Sequence, residues 1–309
     1  MIIQNFKLKV GEITILYEYS HPVNAQGCEP FFEFLSREND GIQSADIINR
    51  VEIVDYVSPN ENIYPLIAST VYWKMWDCNH TYRIAFYNNK GLLTSRVTTN
   101  KQFSINKIEI LSSILNNTVF IPSDVHAFLM IGYLSSHEFG LFLHGSMVKF
   151  KNTGIIFSGV SGSGKSTISS LVSSVNNSSI IADDRVLVRL KKDIECFSTP
   201  YDWKIERCKN IKLHLGCIVF VKHGNSNMIR TLSTEEKIQY LFKTNLLPFY
   251  VPDGIVKIIS AFNRIIDCVP IFEYSFLPNK DAANYILSYI DEIFYGGTNE
   301  GIIDHSTVC

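Results

Sequence analysis

Short apolar runs broken by polar residues dominate the first 120 residues or so of the chain. The runs VEIVDYV, LIASTVYWKMW and TYRIAFY are rich in β-branched and aromatic residues, a composition that favours strands. TYRIAFY continues through Asn-Asn-Lys-Gly into LLTSRVTT, which predicts a hairpin. Over residues 105–116, isoleucine and leucine recur at helical spacing, and we expect one helix there. This part of the sequence predicts a β-rich module.

The pattern changes after Pro122, where helical and strand-like segments begin to alternate. Ser123 is placed to cap a helix that runs to about His137. The next predicted elements are strands over LFLHGSMVKF and GIIFSG, a helix from Lys165 to about Val175, a strand over 180–182, and strands over RVLVRL, 193–197 and IKLHLGCIVFVK. A capped helix from Ser233 to about Thr244, a helix over 254–267, a strand over PIFEYSF and a helix over 280–294 complete the series.

We therefore predict an α/β (α+β) protein of two domains and a tail. Residues 1–122 form the β-rich N-terminal domain, and residues 123–295 form the mixed second domain. Residues 296–309 are polar and rich in glycine, and we expect them to form a flexible tail.

Composition narrows the class of protein. The 309 residues include 28 basic and 30 acidic side chains, and no run of Lys or Arg reaches four residues. The electrostatic footprint of a nucleic-acid-binding protein is therefore missing. The seven cysteines are scattered without a C-x-x-C pair, so we expect neither a disulfide framework nor a zinc site. Charges interrupt every apolar run at the N-terminus, so we expect no signal peptide, no membrane span and a cytoplasmic location.

A phosphate-binding loop is the strongest chemical signal in the sequence. The stretch Gly159-Val-Ser-Gly-Ser-Gly-Lys-Ser-Thr167 fits G-x-x-x-x-G-K-[ST] at every fixed position, between an apolar strand and a helix. Its glycines let the backbone approach a polyphosphate, Lys165 reaches the β- and γ-phosphates, and the Ser166 hydroxyl can ligate Mg²⁺. The predicted nucleotide-binding residues are Gly159, Ser161, Gly162, Ser163, Gly164, Lys165, Ser166 and Thr167.

Two adjacent carboxylates follow the loop at the end of the next short strand. Asp183 and Asp184 come one helix and one strand after Lys165, so the pair can end beside the loop. One carboxylate would hold the metal, and the other would orient or deprotonate a hydroxyl nucleophile. A solvated turn is the alternative for this pair.

His144 lies on the strand that precedes the loop strand. Counting residues back from the turn at Asn152 places His144 opposite the first residues of the loop, a few ångströms from the aspartate pair. There it would hydrogen-bond a carboxylate; the alternative is a side chain packed in the sheet against apolar neighbours. The other histidines, among them His126 and His223, have no partner at an informative spacing, and no functional role is predicted for them.

The segment LHGSMVKFKNTGIIFSGVSGSGKSTIS and the later IIADDRV resemble the catalytic core of HPr kinase/phosphorylase. That family combines a His-Gly on one strand, a P-loop about fifteen residues later and an Ala-Asp-Asp-Arg-Val at a short strand end. The same loop followed by Asp-Asp is also similar to phosphoenolpyruvate carboxykinase. The resemblance covers roughly residues 140–190 and implies a P-loop kinase domain of this type.

The resemblance also implies roles for single residues. Gly159–Thr167 would bind the triphosphate, and within this loop Lys165 would contact the phosphate that is transferred. Ser166 and Asp184 would hold the metal. Asp183 would be the general base for a hydroxyl, assisted by His144.

The chain departs from this family outside residues 140–190. The N-terminal part looks unlike the usual regulatory domain, and Ser198-Thr-Pro-Tyr-Asp-Trp203 replaces the Glu-Ile-Arg-Gly-Leu-Gly motif tied to phosphorylase activity. The Thr-Pro-aromatic segment and the strand PIFEYSF are instead similar to HPr-kinase-like proteins that accompany ribosomally made, modified peptides. Some of those proteins phosphorylate a serine hydroxyl on the precursor.

We therefore expect a Mg²⁺-dependent, ATP-using kinase that phosphorylates a hydroxyl on a peptide, a protein or a small molecule. A nucleotide-binding regulatory or assembly protein with little or no kinase activity is the alternative. A transporter ATPase or a GTPase is disfavoured, because neither a Leu-Ser-Gly-Gly-Gln nor an Asn-Lys-x-Asp signature occurs. The residues do not distinguish ATP from GTP or pyrophosphate. A homo-oligomer would suit the resemblance, and we expect neither nucleic acid nor membrane as a partner.

Overall fold

The computed structural model describes residues 2–24, 29–35, 45–57, 63–114, 123–175, 178–201 and 209–295. Contacts divide the chain into one unit of Met1–Glu138 with Pro248–Ile255 and another of Phe139–Leu247 with Val256–Cys309. The helix that starts at Ser123 thus falls in the first unit, whereas the sequence boundary assigned it to the second domain. The expected tail over 296–309 lies outside the described residues.

The first unit is built on an eight-stranded sheet. Its elements are β1 (Ile2–Val10), β2 (Ile13–Asn24), α1 (Glu29–Phe32), β3 (Ile47–Val54), β4 (Leu66–Ser69), β5 (Trp73–Cys78), β6 (Thr81–Tyr87), β7 (Leu93–Asn100), β8 (Ile105–Leu111) and α2 (Ser123–Ser136). The strand order is β1-β2-β3-β8-β7-β6-β5-β4. β3 pairs in parallel with β2 and β8, and the remaining neighbours are antiparallel. The β6–β7 hairpin and the helix after Pro122 are as predicted.

The helix expected over 105–116 is wrong, because β8 occupies most of that segment. Its residues alternate between exposed and buried positions, with Asn106, Ile108 and Ile110 facing the core. The Nδ2 group of Asn106 donates a hydrogen bond there to Oδ1 of Asn49 at 2.7 Å. Asn106 is a polar residue on the core face, and it interrupts the apolar–polar alternation that identifies a strand. The spacing of the isoleucines also fits a helix, which led to the wrong prediction.

Buried aromatic and polar side chains fill the core of the first unit. His126 of α2 is 1% exposed, and its Nε2 hydrogen-bonds the Tyr17 hydroxyl. Burial lowers the pKa of His126 to about 3, so this histidine is neutral in the folded core. Tyr250 stacks on Phe128 with ring centroids 4.0 Å apart and donates its hydroxyl to the Phe128 carbonyl at 2.8 Å. These contacts bring residues 248–255 into this unit.

In the second unit, the described residues form the other large sheet and four helices. Its elements are β9 (Gly140–Phe150), β10 (Thr153–Ser158), α3 (Lys165–Ser173), β11 (Ser178–Ala182), β12 (Arg185–Leu190), β13 (Ile194–Phe197), β14 (Lys212–His223), β15 (Met228–Thr231), α4 (Thr234–Thr244), α5 (Gly254–Cys268), β16 (Ile271–Phe276) and α6 (Lys280–Tyr295). The sheet follows β10-β9-β12-β13-β14-β16-β15, β11 pairs with β9, and β10 also pairs with β14. These elements match the sequence prediction closely.

Both faces of this sheet are buried. Alternate residues of β14 enter two apolar clusters, Ile218 and Phe220 on one side and Val219 and Val221 on the other. The first cluster includes side chains of α4 and α5, and the second includes side chains of α3 and α6. The described residues therefore form a mixed α and β protein, as the sequence predicts, and its strands form two large sheets.

Two further expectations from the composition can be compared with the described residues. None of their helices is long and apolar enough to cross a membrane. Cys78, Cys196 and Cys217 are free thiols, whereas Cys268 is disulfide-bonded. The sequence predicts no disulfide framework, and the scattered cysteines carry no signal for the bond at Cys268.

Candidate functional site

β9 brings the candidate residues together, because it lies between their strands. It pairs with β10 along one edge and with β11 and β12 along the other. Gly145 of β9 is opposite Ser158, the last strand residue before the phosphate loop. Its backbone N–H donates to the Asp184 carbonyl at 3.1 Å. The loop and the aspartate pair therefore meet across one residue of β9.

The aspartate pair occupies a break between two strands that follow the same edge of β9. β11 ends at Ala182 and β12 begins at Arg185, and the register shifts just before Ala182. The Ser146 hydroxyl donates to the Ala182 carbonyl at 3.1 Å and holds the end of β11. Irregularities of this kind redirect side chains from the regular alternation of a strand. Asp183 and Asp184 are the residues at this break.

The phosphate loop has a backbone that only its glycines adopt readily. Gly162 has φ +78° and Gly164 has φ +96°, in the left-handed region that side chains disfavour. Gly164 is the N-cap of α3, which begins at Lys165. A loop of this conformation at a helix N-terminus presents backbone N–H groups and a positive dipole end to an anion.

The ammonium group of Lys165 folds back over the loop. Its Nζ donates to the carbonyl oxygens of Gly159 at 2.9 Å and Val160 at 3.0 Å. Burial lowers the pKa of Lys165, and the nearby carboxylates of Asp184 and Asp183 act in the opposite direction. One positive side chain thus lies close to both the loop and the aspartate pair.

The two aspartates contact different partners. Ser166 donates its hydroxyl to Oδ1 of Asp183 at 3.0 Å. Nδ1 of His144 lies 3.3 Å from Oδ1 of Asp184, and Nε of Arg185 lies 3.4 Å from Oδ2 of Asp184. The resemblance implied the opposite pairing, with Ser166 beside Asp184 and His144 beside Asp183.

His144 lies where the sequence count places it. Gly145 pairs with Ser158 in antiparallel register, which sets His144 opposite the start of the loop at Gly159. Its side chain is 39% exposed, and its Nδ1 hydrogen-bonds the backbone carbonyl of Asp184 at 3.2 Å beside the Asp184 carboxylate, so the alternative of an apolar packing position does not apply. The catalytic role of His144 stays a prediction.

The donor set beside the loop fits magnesium. The Ser166 hydroxyl and the Asp183 carboxylate are oxygen donors, which Mg²⁺ prefers, and Mg²⁺ takes further ligands from water and phosphates. Among the described residues, no group of three or more His, Cys, Asp or Glu side chains could hold a metal. The Ser166 and Asp183 oxygens are the residues that would hold a magnesium ion here.

The segment after β13 packs against the strand of the aspartate pair. Thr199 donates its hydroxyl to the Arg185 carbonyl at 3.0 Å. Tyr201 is buried, and its ring centroid lies 6.0 Å from that of Phe142 on β9. Burial raises the pKa of the Tyr201 phenol. The Thr-Pro-aromatic segment is thus tied to the site, although its residues 202–203 lie outside the described part of the chain.

His223 contacts the phosphate loop although no functional role was predicted for it. Its Nε2 lies 3.1 Å from the carbonyl oxygen of Gly162. The contact arises because β10 and β14 are parallel neighbours, so the end of β14 meets the loop that follows β10. Only the pairing of strands distant in sequence could have revealed this residue.

Comparisons with known proteins add little to the site. No protein-family model matches the sequence, and no curated protein matches it. Among solved structures, an HPr(Ser) kinase/phosphatase from Coxiella burnetii is similar over 49% of this chain and 97% of its own, with 9% identity and a TM-score of 0.29. A TM-score this low carries no argument, so the candidate function rests on the residues of the site.

Proposed function

We propose that this protein is a Mg²⁺-dependent kinase that transfers the γ-phosphate of ATP to a hydroxyl group. One observation carries the proposal: each of two adjacent aspartates has its own partner beside the phosphate loop, Asp183 with Ser166 and Asp184 with His144. Phosphoryl transfer needs a metal-holding group, a group that positions the attacking hydroxyl, and positive charge on the phosphates. The site offers a candidate for each need.

The contacts favour one division of roles between the aspartates. Asp183 and Ser166 would hold Mg²⁺, which supplies charge neutralisation on the phosphates when bound. Asp184 would accept the proton of the attacking hydroxyl, and His144 would orient its carboxylate. This assignment reverses the one that the sequence resemblance implies for the two aspartates.

Lys165 would stabilise the negative charge of the transferred phosphate. Its ammonium group already lies against the loop carbonyls of Gly159 and Val160, so a short movement would bring it to a bound phosphate. The N–H groups at the start of α3 would hold the remaining phosphate oxygens. These groups act by position and charge and need form no covalent bond to the substrate.

The sequence resemblance supports the finer parts of the proposal. Similarity of residues 140–190 to HPr kinase/phosphorylase favours a domain of that type and a serine in a peptide or protein as acceptor. A cytoplasmic location and a homo-oligomer would accompany such a kinase. A small-molecule hydroxyl is the alternative acceptor.

The direct test is transfer of label from γ-labelled ATP. The protein is incubated with Mg²⁺ and with peptides, proteins and small hydroxyl compounds whose genes or pathways neighbour its own gene. We expect a Mg²⁺-dependent, acid-stable phosphate ester on one acceptor. Tight ATP binding without transfer to any acceptor would instead favour a nucleotide-binding regulatory protein.

A further inference from the structure

Three parallel strands end beside the phosphate loop, and two of them contribute aromatic rings. β14 lies in parallel between β10 and β16, so the last residues of β14 and β16 reach the edge where the loop begins. These residues are His223 and Phe276. Their ring centroids are 5.6 Å apart, with an angle of 35° between the ring planes.

The rings support the loop at Gly164. A Cβ added there would lie 2.8 Å from Cζ of Phe276 and 3.0 Å from Cε1 of His223. The backbone of the loop is therefore in close contact with both rings. A side chain at position 164 would separate them from the loop.

His223 also donates a hydrogen bond to a second glycine of the loop, Gly162. Nε2 of His223 lies 3.1 Å from the Gly162 oxygen, and because a carbonyl oxygen can only accept, Nε2 carries the hydrogen. In a planar trans peptide, the carbonyl and the following N–H point in opposite directions. Holding the Gly162 carbonyl toward His223 therefore directs the Ser163 N–H away from His223. That N–H donates to the Val160 carbonyl within the loop, at 3.2 Å.

This bond restricts the most adaptable part of the loop. Gly162, at φ +78°, has no Cβ to limit its backbone, and a Cβ there would meet no atom within 4 Å. No side-chain contact at position 162 restrains the peptide that follows it, so its hydrogen bonds contribute to fixing that peptide. A loop already ordered before binding loses less conformational entropy when the anion arrives.

We propose that His223 is a positioning residue of the phosphate loop, which orders the Gly162–Ser163 peptide for a diphosphate or triphosphate by donating Nε2–H to the Gly162 carbonyl. This inference rests on the proposed function, because it takes the loop to be the phosphate site. It assigns a specific role to a residue outside the loop signature. His223 is exposed, so water competes for the bond, and we expect its loss to weaken binding about threefold.

Two substitutions separate the hydrogen bond from the ring contact. H223Q places an amide N–H near the position of Nε2 but removes the ring, whereas H223F keeps a ring against Phe276 and removes the donor. The affinities of Mg²⁺-ATP, pyrophosphate and adenosine are measured by calorimetry on the full chain. H214Q and H214F serve as matched controls, because His214 is an exposed histidine of the same strand.

We expect H223Q to bind ATP and pyrophosphate like the wild type, and H223F to bind both about threefold more weakly. Adenosine affinity and the His214 variants should not change. The inference is overturned if H223F binds pyrophosphate like the wild type, or if H223Q is the weaker binder. If H223F does not fold, H223A replaces it with the same expectation. Failure of the wild type to bind either phosphate ligand would instead contradict the proposed function.

Discussion

Two clusters, each of which combines carboxylates with basic side chains, lie near the carboxyl ends of the parallel strands of the second sheet. The aspartate cluster consists of Asp183 and Asp184 with Lys165, Ser166 and His144. The glutamate cluster consists of Glu273 with Lys222, Arg230 and Tyr240. The two clusters lie at a similar position along the strands. Glu273 pairs with Phe220, and Phe220 pairs with Ser158, the last strand residue before the loop. The two clusters differ in the hydrogen-bond partners and the solvent exposure of their carboxylates.

The carboxylate of the glutamate cluster is saturated. Glu273 is 2% exposed, and its Oε1 accepts from Lys222 at 2.6 Å and from Arg230 at 3.1 Å. Its Oε2 accepts from the Tyr240 hydroxyl and from Nη2 of Arg230 at 3.3 Å. Burial by itself would raise the pKa of Glu273, but these hydrogen bonds outweigh it and lower the pKa to about 2.

The carboxylates of the aspartate cluster are more accessible. The side chain of Asp184 is 19% exposed, and Asp183 is also partly exposed. Their contacts at 3.0 to 3.4 Å are longer than the Lys222–Glu273 contact. A ligand can exchange for such contacts at small cost, whereas opening a saturated buried carboxylate leaves charges without partners. Grouped charges at this edge therefore indicate a ligand site only where the carboxylates are reachable.

The largest effect should come from Lys165→Met. Without its ammonium group, the loop loses the only side-chain positive charge that belongs to its signature, and we expect triphosphate binding and transfer to fall below detection. Calorimetry with Mg²⁺-ATP measures the binding. Lys222→Met, the same substitution in the glutamate cluster, is the control, and it should lower stability while changing ATP affinity less than about twofold. Equal effects of both variants would erase the proposed difference between the clusters.

The two aspartates should separate binding from chemistry. Asp184→Asn keeps the shape of the side chain but removes its basicity, and we expect transfer to fall by roughly 10²–10⁴-fold with ATP still bound. Asp183→Asn should mainly weaken the Mg²⁺ dependence of ATP binding, because it alters the partner of Ser166. Magnesium titrations at fixed ATP, beside single-turnover transfer, distinguish the two. The reverse result would restore the roles that the sequence resemblance implies.

Local signals in the sequence identified most of the residues that the structure brings together at the candidate site. The phosphate loop and the aspartate pair are each contiguous in the chain, and a count along one hairpin placed His144 beside them. His223 could not be found in this way, because parallel pairing of distant strands brings it to the loop. The pairing of Asp183 with Ser166 also depends on side-chain directions at the break between β11 and β12.

The fold was predictable where one face of an element is uniformly apolar. β8 was missed because Asn106, paired with Asn49 in the core, interrupts the apolar alternation that identifies a strand. The segment 248–255 joins the first unit through Tyr250 and Phe128, which are far apart in sequence. Neither partner could be identified from its local sequence, because only the folded structure shows that the two residues are in contact.

Glu273→Gln should damage stability without damaging the site. The substitution removes the carboxylate that Lys222 and Arg230 share, and because both cations are partly exposed, we expect a loss of about 1–2 kcal/mol in the free energy of unfolding. Urea unfolding measures it, and ATP affinity of the folded variant should stay near that of the wild type. Asp291→Asn is the control, because it breaks an exposed ion pair with Lys151 and should cost less than about 1 kcal/mol. A large loss of ATP affinity in folded Glu273→Gln would place the glutamate cluster in the site.

The smallest effect that we expect is the contribution of Glu273 to the loss of folding stability in acid. Its pKa is about 2 in the folded protein against 4.5 as the ordinary value, so the unfolded chain binds the proton first as the pH falls. Its stabilising contribution is complete above pH 4.5 and is lost progressively as the pH falls toward 2. By about pH 3 the loss should be on the order of 1 kcal/mol, because water screens the partly exposed Lys222 and Arg230. Urea unfolding at several pH values should therefore show a shallower acid dependence for Glu273→Gln than for the wild type, because the variant lacks this titration. Parallel curves for the two proteins would mean that the Glu273 carboxylate is not held ionised by its three partners.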